Sequence, residues 1–172
     1  MGVKPNVGVG PVTPGTVQIG VPGETSSNSL GTVPFAYAYD NSFGTWIVNS
    51  NDLSSIGGPA QIDSIELFFG GMSDDQYTLN DQHIYVSHIS LDLYSGGNTP
   101  TVDHVGSTVI SDRTLCKVDF TASFVKSTDL DTWIRYDFDF PFQWNGTDNI
   151  AFDWVNQDNT LNFGGPRFDI TF

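Results

Sequence analysis

Residues 131–154, DTWIRYDFDFPFQWNGTDNIAFDW, constrain the fold more than any other stretch of this chain. Ile134, Tyr136, Phe138, Phe140 and Phe142 occupy alternate positions, with Arg135, Asp137 and Asp139 between them. A period of two predicts a strand with one face in a core and the other in water. The polar run Gln143-Trp144-Asn145-Gly146-Thr147-Asp148 then predicts a reversal, because Asn-Gly accepts positive φ. A second alternation follows, with Ile150, Phe152 and Trp154 on one face and Ala151 and Asp153 on the other. Two antiparallel strands with such bulky inner faces require a second sheet to cover them.

The rest of the chain supports an all-β domain. Aromatics make up 13% of residues, which supplies rigid inward bulk, and no segment carries an apolar stripe at helical spacing. Of the 20 acidic residues all but Glu24 and Glu66 are Asp, the acid that favours turns over helices. Strands are predicted at Thr45-Trp46-Ile47-Val48, at 61–69 (Ile65, Leu67 and Phe69 inward), at 83–88 (Ile84 and Val86 inward), at 108–110 and at 115–125. Phe168, Ile170 and Phe172 alternate in a closing strand. Residues 53–56 are predicted as a single helical turn, capped from Ser50-Asn51-Asp52 and stopped by Gly57-Gly58-Pro59. The segment 72–82 is predicted as a polar loop. With uneven connections between about eight antiparallel strands, the expected architecture is a jelly-roll or Greek-key β-sandwich spanning 34–172.

Residues 1–33 differ in kind. They are rich in Gly, Pro, Val, Ser and Thr, without aromatics or period, and predict an extended N-terminal arm. Val17, Ile19 and Val21 are its candidate assembly residues, placed to add a strand to a neighbouring sheet edge. The start of the chain has no apolar leader, and no run is long enough to cross a membrane as a helix, so the expectation is a protein used without secretion.

The formal net charge of −14 argues against nucleic acid and against anionic membranes as partners, since six Lys and Arg cannot neutralise a phosphate surface. Cys116 is the single cysteine and shares parity with Val118, which predicts a buried, unreactive thiol. His83 and His88 are an odd number of positions apart, so a zinc site through both is not expected. No nucleophile elbow surrounds a serine. Asp137 and Asp139, about 7 Å apart at i, i+2, read as a solvated face beside Arg135 rather than as paired catalytic carboxylates. No enzymatic activity is expected. Asp74, Asp75 and Asp81 are candidate metal ligands, with Ca²⁺ the ion that such loop carboxylates would suit. Trp46, Trp133, Trp144, Tyr77 and Tyr94 are candidate binding aromatics, for a glycan or for a protein surface.

Several segments together carry a resemblance. They are Val17-Gln18-Ile19-Gly20, Thr45-Trp46-Ile47-Val48 with Asn51-Asp52-Leu53, the stretch AQIDSIELF at 60–68, and IYVSHI at 84–89. The most specific is Pro141-Phe142-Gln143-Trp144-Asn145-Gly146-Thr147-Asp148-Asn149-Ile150. In these the chain resembles a jelly-roll module found in secreted and surface proteins of Bacteroidetes and in virion proteins of marine and gut tailed phages. The bacterial members are long secreted chains, so a single leaderless module resembles the phage members more. The resemblance implies a non-enzymatic virion structural protein, made in the host cytoplasm and placed on the particle exterior. A capsid decoration or cement protein, docked through its arm, is the leading expectation. Its partners would be a major capsid protein or tail components, and copies of itself. A carbohydrate-binding or adhesion module, including tail-fibre host recognition, is the alternative.

Overall fold

A computed structural model describes residues 15–18, 42–72, 74–90, 113–159 and 166–169. Among these, seven strands form two antiparallel sheets: β1 (Ser42–Val48), β2 (Ala60–Met72), β3 (Gln76–Ile89), β4 (Thr114–Val125), β5 (Thr132–Trp144), β6 (Asn149–Asn156) and β7 (Pro166–Asp169). One sheet has the order β1-β6-β3-β4 and the other β5-β2-β7. The expected β-sandwich is therefore present. The expectations at 108–110 and 170–172, and those on Ile19, Val21 and Tyr94, lie outside the described residues.

The inner faces meet through aromatic rings. Trp154 of β6 meets Tyr136 of β5 edge-on, with centroids 4.9 Å apart, and Phe120 of β4 at 5.2 Å. Phe69 of β2 stacks on Phe124 of β4 at 5.6 Å. At the other end His88 of β3 lies 4.8 Å from Phe142 of β5. Ile84, Val86, Leu79 and Ile150 are fully buried between them. Burying this much aromatic and branched area drives the two sheets together.

β5 departs from its alternation at one place. Ser64 pairs with Asp137 and Ile62 with Phe142, so a single β2 residue faces four on β5. Pro141, which has no N–H to give to a ladder, sits in this bulge. Phe140, expected inward, is consequently 57% exposed. β4 takes up the freed segment: Lys117 Nζ donates to the Asp137 carbonyl at 2.7 Å and the Val118 N–H to Asp139 Oδ2 at 3.0 Å. Asp139 is thus a structural acceptor at the β4–β5 edge.

Three other expectations are corrected. The polar segment 72–82 is mostly strand, because β3 begins at Gln76 with Tyr77 and Leu79 buried at alternate positions. Two inward side chains suffice to seat it, whatever the polarity of the outward ones. Asp153, expected in water, is only 3% exposed. β6 runs between β1 and β3, and its outer face carries Asp153 between Thr45 and Tyr85 in register. Thr45 Oγ1 donates to Asp153 Oδ1 at 2.5 Å, and Arg113, stacked 3.8 Å over the Tyr85 ring, reaches Oδ2 at 3.5 Å. That pairing supports a buried carboxylate. Finally, the helical turn is a 3-10 turn at Ser54–Ile56, closed by backbone bonds with no side-chain cap and ended by Gly57 at φ +82°.

Cys116 is fully buried, as its parity required. Burial, offset slightly by a hydrogen bond to the Val86 backbone, pushes its thiol from an ordinary 9.0 up to about 12. Two results are expected. A water-soluble disulfide reagent at pH 8 labels the native protein only at the rate of global opening and labels the urea-unfolded chain at once. Because the folded thiol keeps its proton while the unfolded one releases it, stability is intact below pH 9.0 and falls as pH rises toward about 12. Urea melts across that range, compared with Cys116→Ala, read the difference.

Candidate functional site

The outer face of the β5-β2 sheet carries the exposed chemistry. The register pairs Phe68 with Trp133, Glu66 with Arg135 and Ser64 with Asp137, so three cross-strand pairs lie side by side. Trp133 is 40% exposed and meets the Phe68 ring edge-on at 5.5 Å. Leu130, also 40% exposed, flanks the start of the strand. In the next pair, Arg135 Nε donates to Asp137 Oδ1 at 2.6 Å and Nη1 to Glu66 Oε1 at 3.2 Å. The bond to Asp137, and more weakly that to Glu66, raises the guanidinium pKa and holds Arg135 charged. The result is an aromatic platform with, about 7 Å farther along the strand, an arginine whose guanidinium two carboxylates hold in place. It can stack on a flat apolar surface and exchange hydrogen bonds at its border.

The other sequence candidates are placed differently. Trp46, Trp144 and Tyr77 are buried and cannot serve as platforms. Trp46 stacks on Phe152 at 5.3 Å, and Trp144 Nε1 donates to the Asp148 carbonyl at 2.8 Å inside the turn after β5. In the same turn Asn145 Oδ1 accepts from the N–H groups of Thr147 and Asp148 at 3.0 and 2.9 Å. Asn145 is therefore a turn former. Val17, a candidate arm residue, packs half-buried against this chain's own core.

Asp74 and Asp75 do not join Asp81. They precede β3, whereas Asp81 lies six residues farther along from Asp75, roughly 20 Å for a strand. Asp81 instead meets His83 and, across the β3–β4 ladder, Asp119. His83 Nε2 is 3.2 Å from Asp81 Oδ1 and 3.4 Å from Asp119 Oδ1. Both aspartates adopt positive φ, +53° and +46°, at register shifts in β3 and β4. Asp tolerates that conformation better than most residues. The spacing i, i+2 for Asp81 and His83 was readable in sequence; the arrival of Asp119 required the bulges.

No family model, curated protein or solved structure matches this chain.

Proposed function

We propose that this chain is a non-enzymatic structural protein of a tailed-phage particle, an auxiliary capsid protein docked on a neighbouring virion subunit with its acidic surface toward solvent. The observation that carries the docking role is the exposed Trp133 ring, backed by the half-buried Phe68 and set beside Arg135. An aromatic and an arginine bordered by polar groups is the composition of an interface centre. The sequence resemblance supplies the virion setting. Val17 is engaged with its own sandwich, so strand addition to a neighbour falls to arm residues on either side of it.

The same face favours a second reading as a glycan-binding module. Trp133 offers a ring for the C–H face of a sugar, and Arg135, Glu66 and Asp137 offer donors and acceptors for hydroxyls.

One set of proteins tests both. Wild type, Trp133→Ala and a chain lacking residues 1–14, which keeps Val17, are sedimented with phage particles stripped of this protein and applied to a glycan array. The docking reading expects wild type to co-sediment and Trp133→Ala to bind at least about tenfold more weakly, as for a hot-spot aromatic. It is overturned if wild type ignores the particles, or if both variants bind them as wild type does. Glycan binding that Trp133→Ala abolishes and the deletion leaves intact establishes the second reading in its place.

A further inference from the structure

We propose that Asp81, His83 and Asp119 bind one divalent cation of the zinc class, with the remaining coordination position open to water. The argument rests on three donors held at metal-ligand spacing, one of them the Nε2 of a buried histidine that faces two carboxylates.

His83 Nε2 and the two carboxylate oxygens all lie within 4.8 Å of one another, with the two nitrogen–oxygen distances at 3.2 and 3.4 Å. Ligands bound tetrahedrally at about 2.0–2.1 Å stand about 3.3–3.4 Å apart. The two nitrogen–oxygen edges already have that length and the oxygen–oxygen edge is within 4.8 Å, so side-chain adjustments of the two carboxylates let a cation meet all three atoms.

His83 is 8% exposed, and its Nδ1 is buried with no hydrogen-bond partner. Here the polar contacts belong to Nε2, and they go to two carboxylates. One Nε2 proton serves one oxygen at a time, whereas a cation at the same point meets both oxygens and the ring nitrogen together. Among the described residues, the ion pairs of Asp81 and Asp119 are with His83 alone, and no Lys or Arg neutralises them.

The donor set selects the ion. Ca²⁺ and Mg²⁺ take oxygen ligands and seldom imidazole, while Zn²⁺ takes both. The expected Ca²⁺ is thereby replaced at Asp81 by an imidazole-binding metal. The consequence for the fold is local: one ion ties the bulged segments of β3 and β4 together.

The test uses the full chain, stripped by chelator and titrated with zinc, calcium and magnesium chlorides by calorimetry and equilibrium dialysis. Asp81→Asn and Asp119→Asn are the informative variants, because Asn accepts the same positive φ and leaves the backbone undisturbed. The expected result is one saturable Zn²⁺ per chain, a rise in melting temperature with zinc, and an affinity at least tenfold weaker in each variant. Asp74→Asn/Asp75→Asn is expected to bind as wild type does. Circular dichroism of each apo variant checks folding. The proposal is overturned by zinc uptake that shows no one-to-one saturation, by unchanged affinity in both Asn variants, or by Ca²⁺ displacing Zn²⁺ at equal concentration.

Discussion

Replacing Trp154 by alanine is expected to cost about 4–8 kcal/mol, the largest single loss among the described residues, through a cavity of about 3–5 and a stranded polar group of about 1–3. Trp154 is fully buried on the central strand β6, ringed by Tyr136 and Phe120 from β5 and β4. Its Nε1 donates to Gln82 Oε1 at 2.8 Å. Gln82, itself fully buried, passes its Nε2 hydrogens to Asn156 Oδ1 at 2.5 Å and to the Asn80 carbonyl at 2.7 Å. Removing the indole opens a space between the sheets and deprives Gln82 Oε1 of its donor. Trp154→Phe separates the two effects, since it keeps most of the ring and loses the N–H. It is expected to cost about half as much. Equilibrium urea unfolding, followed by the far-ultraviolet β signal, measures both. A loss under about 2 kcal/mol for Trp154→Ala would show that the sheets close over the gap and that this ring is not the centre of the core.

Gly146→Ala is expected to destabilise by about 2–4 kcal/mol, although it adds one methyl group to a surface turn. Gly146 has φ +84°, which costs an L-residue about 1–2 kcal/mol. A Cβ there would also stand 2.6 Å from the Pro59 nitrogen and 2.8 Å from the Gly58 carbonyl carbon, both backbone atoms that cannot swing aside. The turn after β5 would have to lift off the 57–59 segment, disturbing the Trp144 and Asn145 hydrogen bonds that close it. Gly57→Ala is the matched comparison: its φ is +82°, yet nothing lies within 4 Å of the added carbon. It is expected to show the conformational cost alone. Loss of 2–4 kcal/mol corresponds to a melting temperature lower by roughly 4–16 °C in a domain of this size. Equal melting temperatures for the two variants would mean that the close approach of the turn to Pro59 does not matter.

The two substitutions differ in how visible they were beforehand. The Asn145-Gly146 turn was legible because a dipeptide that favours positive φ stood between two alternating runs. The clash with Pro59 was not, because 87 positions separate the two residues in sequence. Trp154 was placed inward by parity, but Gln82, its buried partner, lay in what read as a polar loop. A lone glutamine looks the same in sequence whether it faces water or completes a core network.

The candidate sites divide in the same way. Parity alone placed Trp133 outward beside Arg135, and the β2–β5 register then supplied Phe68, Glu66 and Asp137 as its neighbours. Trp46, Trp144 and Tyr77 were candidates as large aromatics, yet each is consumed by packing. Phe140 failed in the opposite direction, displaced from the core by an irregularity that no alternation rule contains.

What the sequence determined by itself was local: the period of two, the inward identity of most core residues, the turn at Asn145-Gly146 and the burial of Cys116. These follow from backbone geometry and side-chain polarity within a few residues of one another. What only the tertiary structure decided was which strands became neighbours and where their registers slipped. Strand order β1-β6-β3-β4 buried Asp153, the β5 bulge exposed Phe140, and paired irregularities in β3 and β4 brought Asp81, His83 and Asp119 together. Each depends on contacts between distant segments, whose energies are set by the fit of whole sheets rather than by any one stretch of chain.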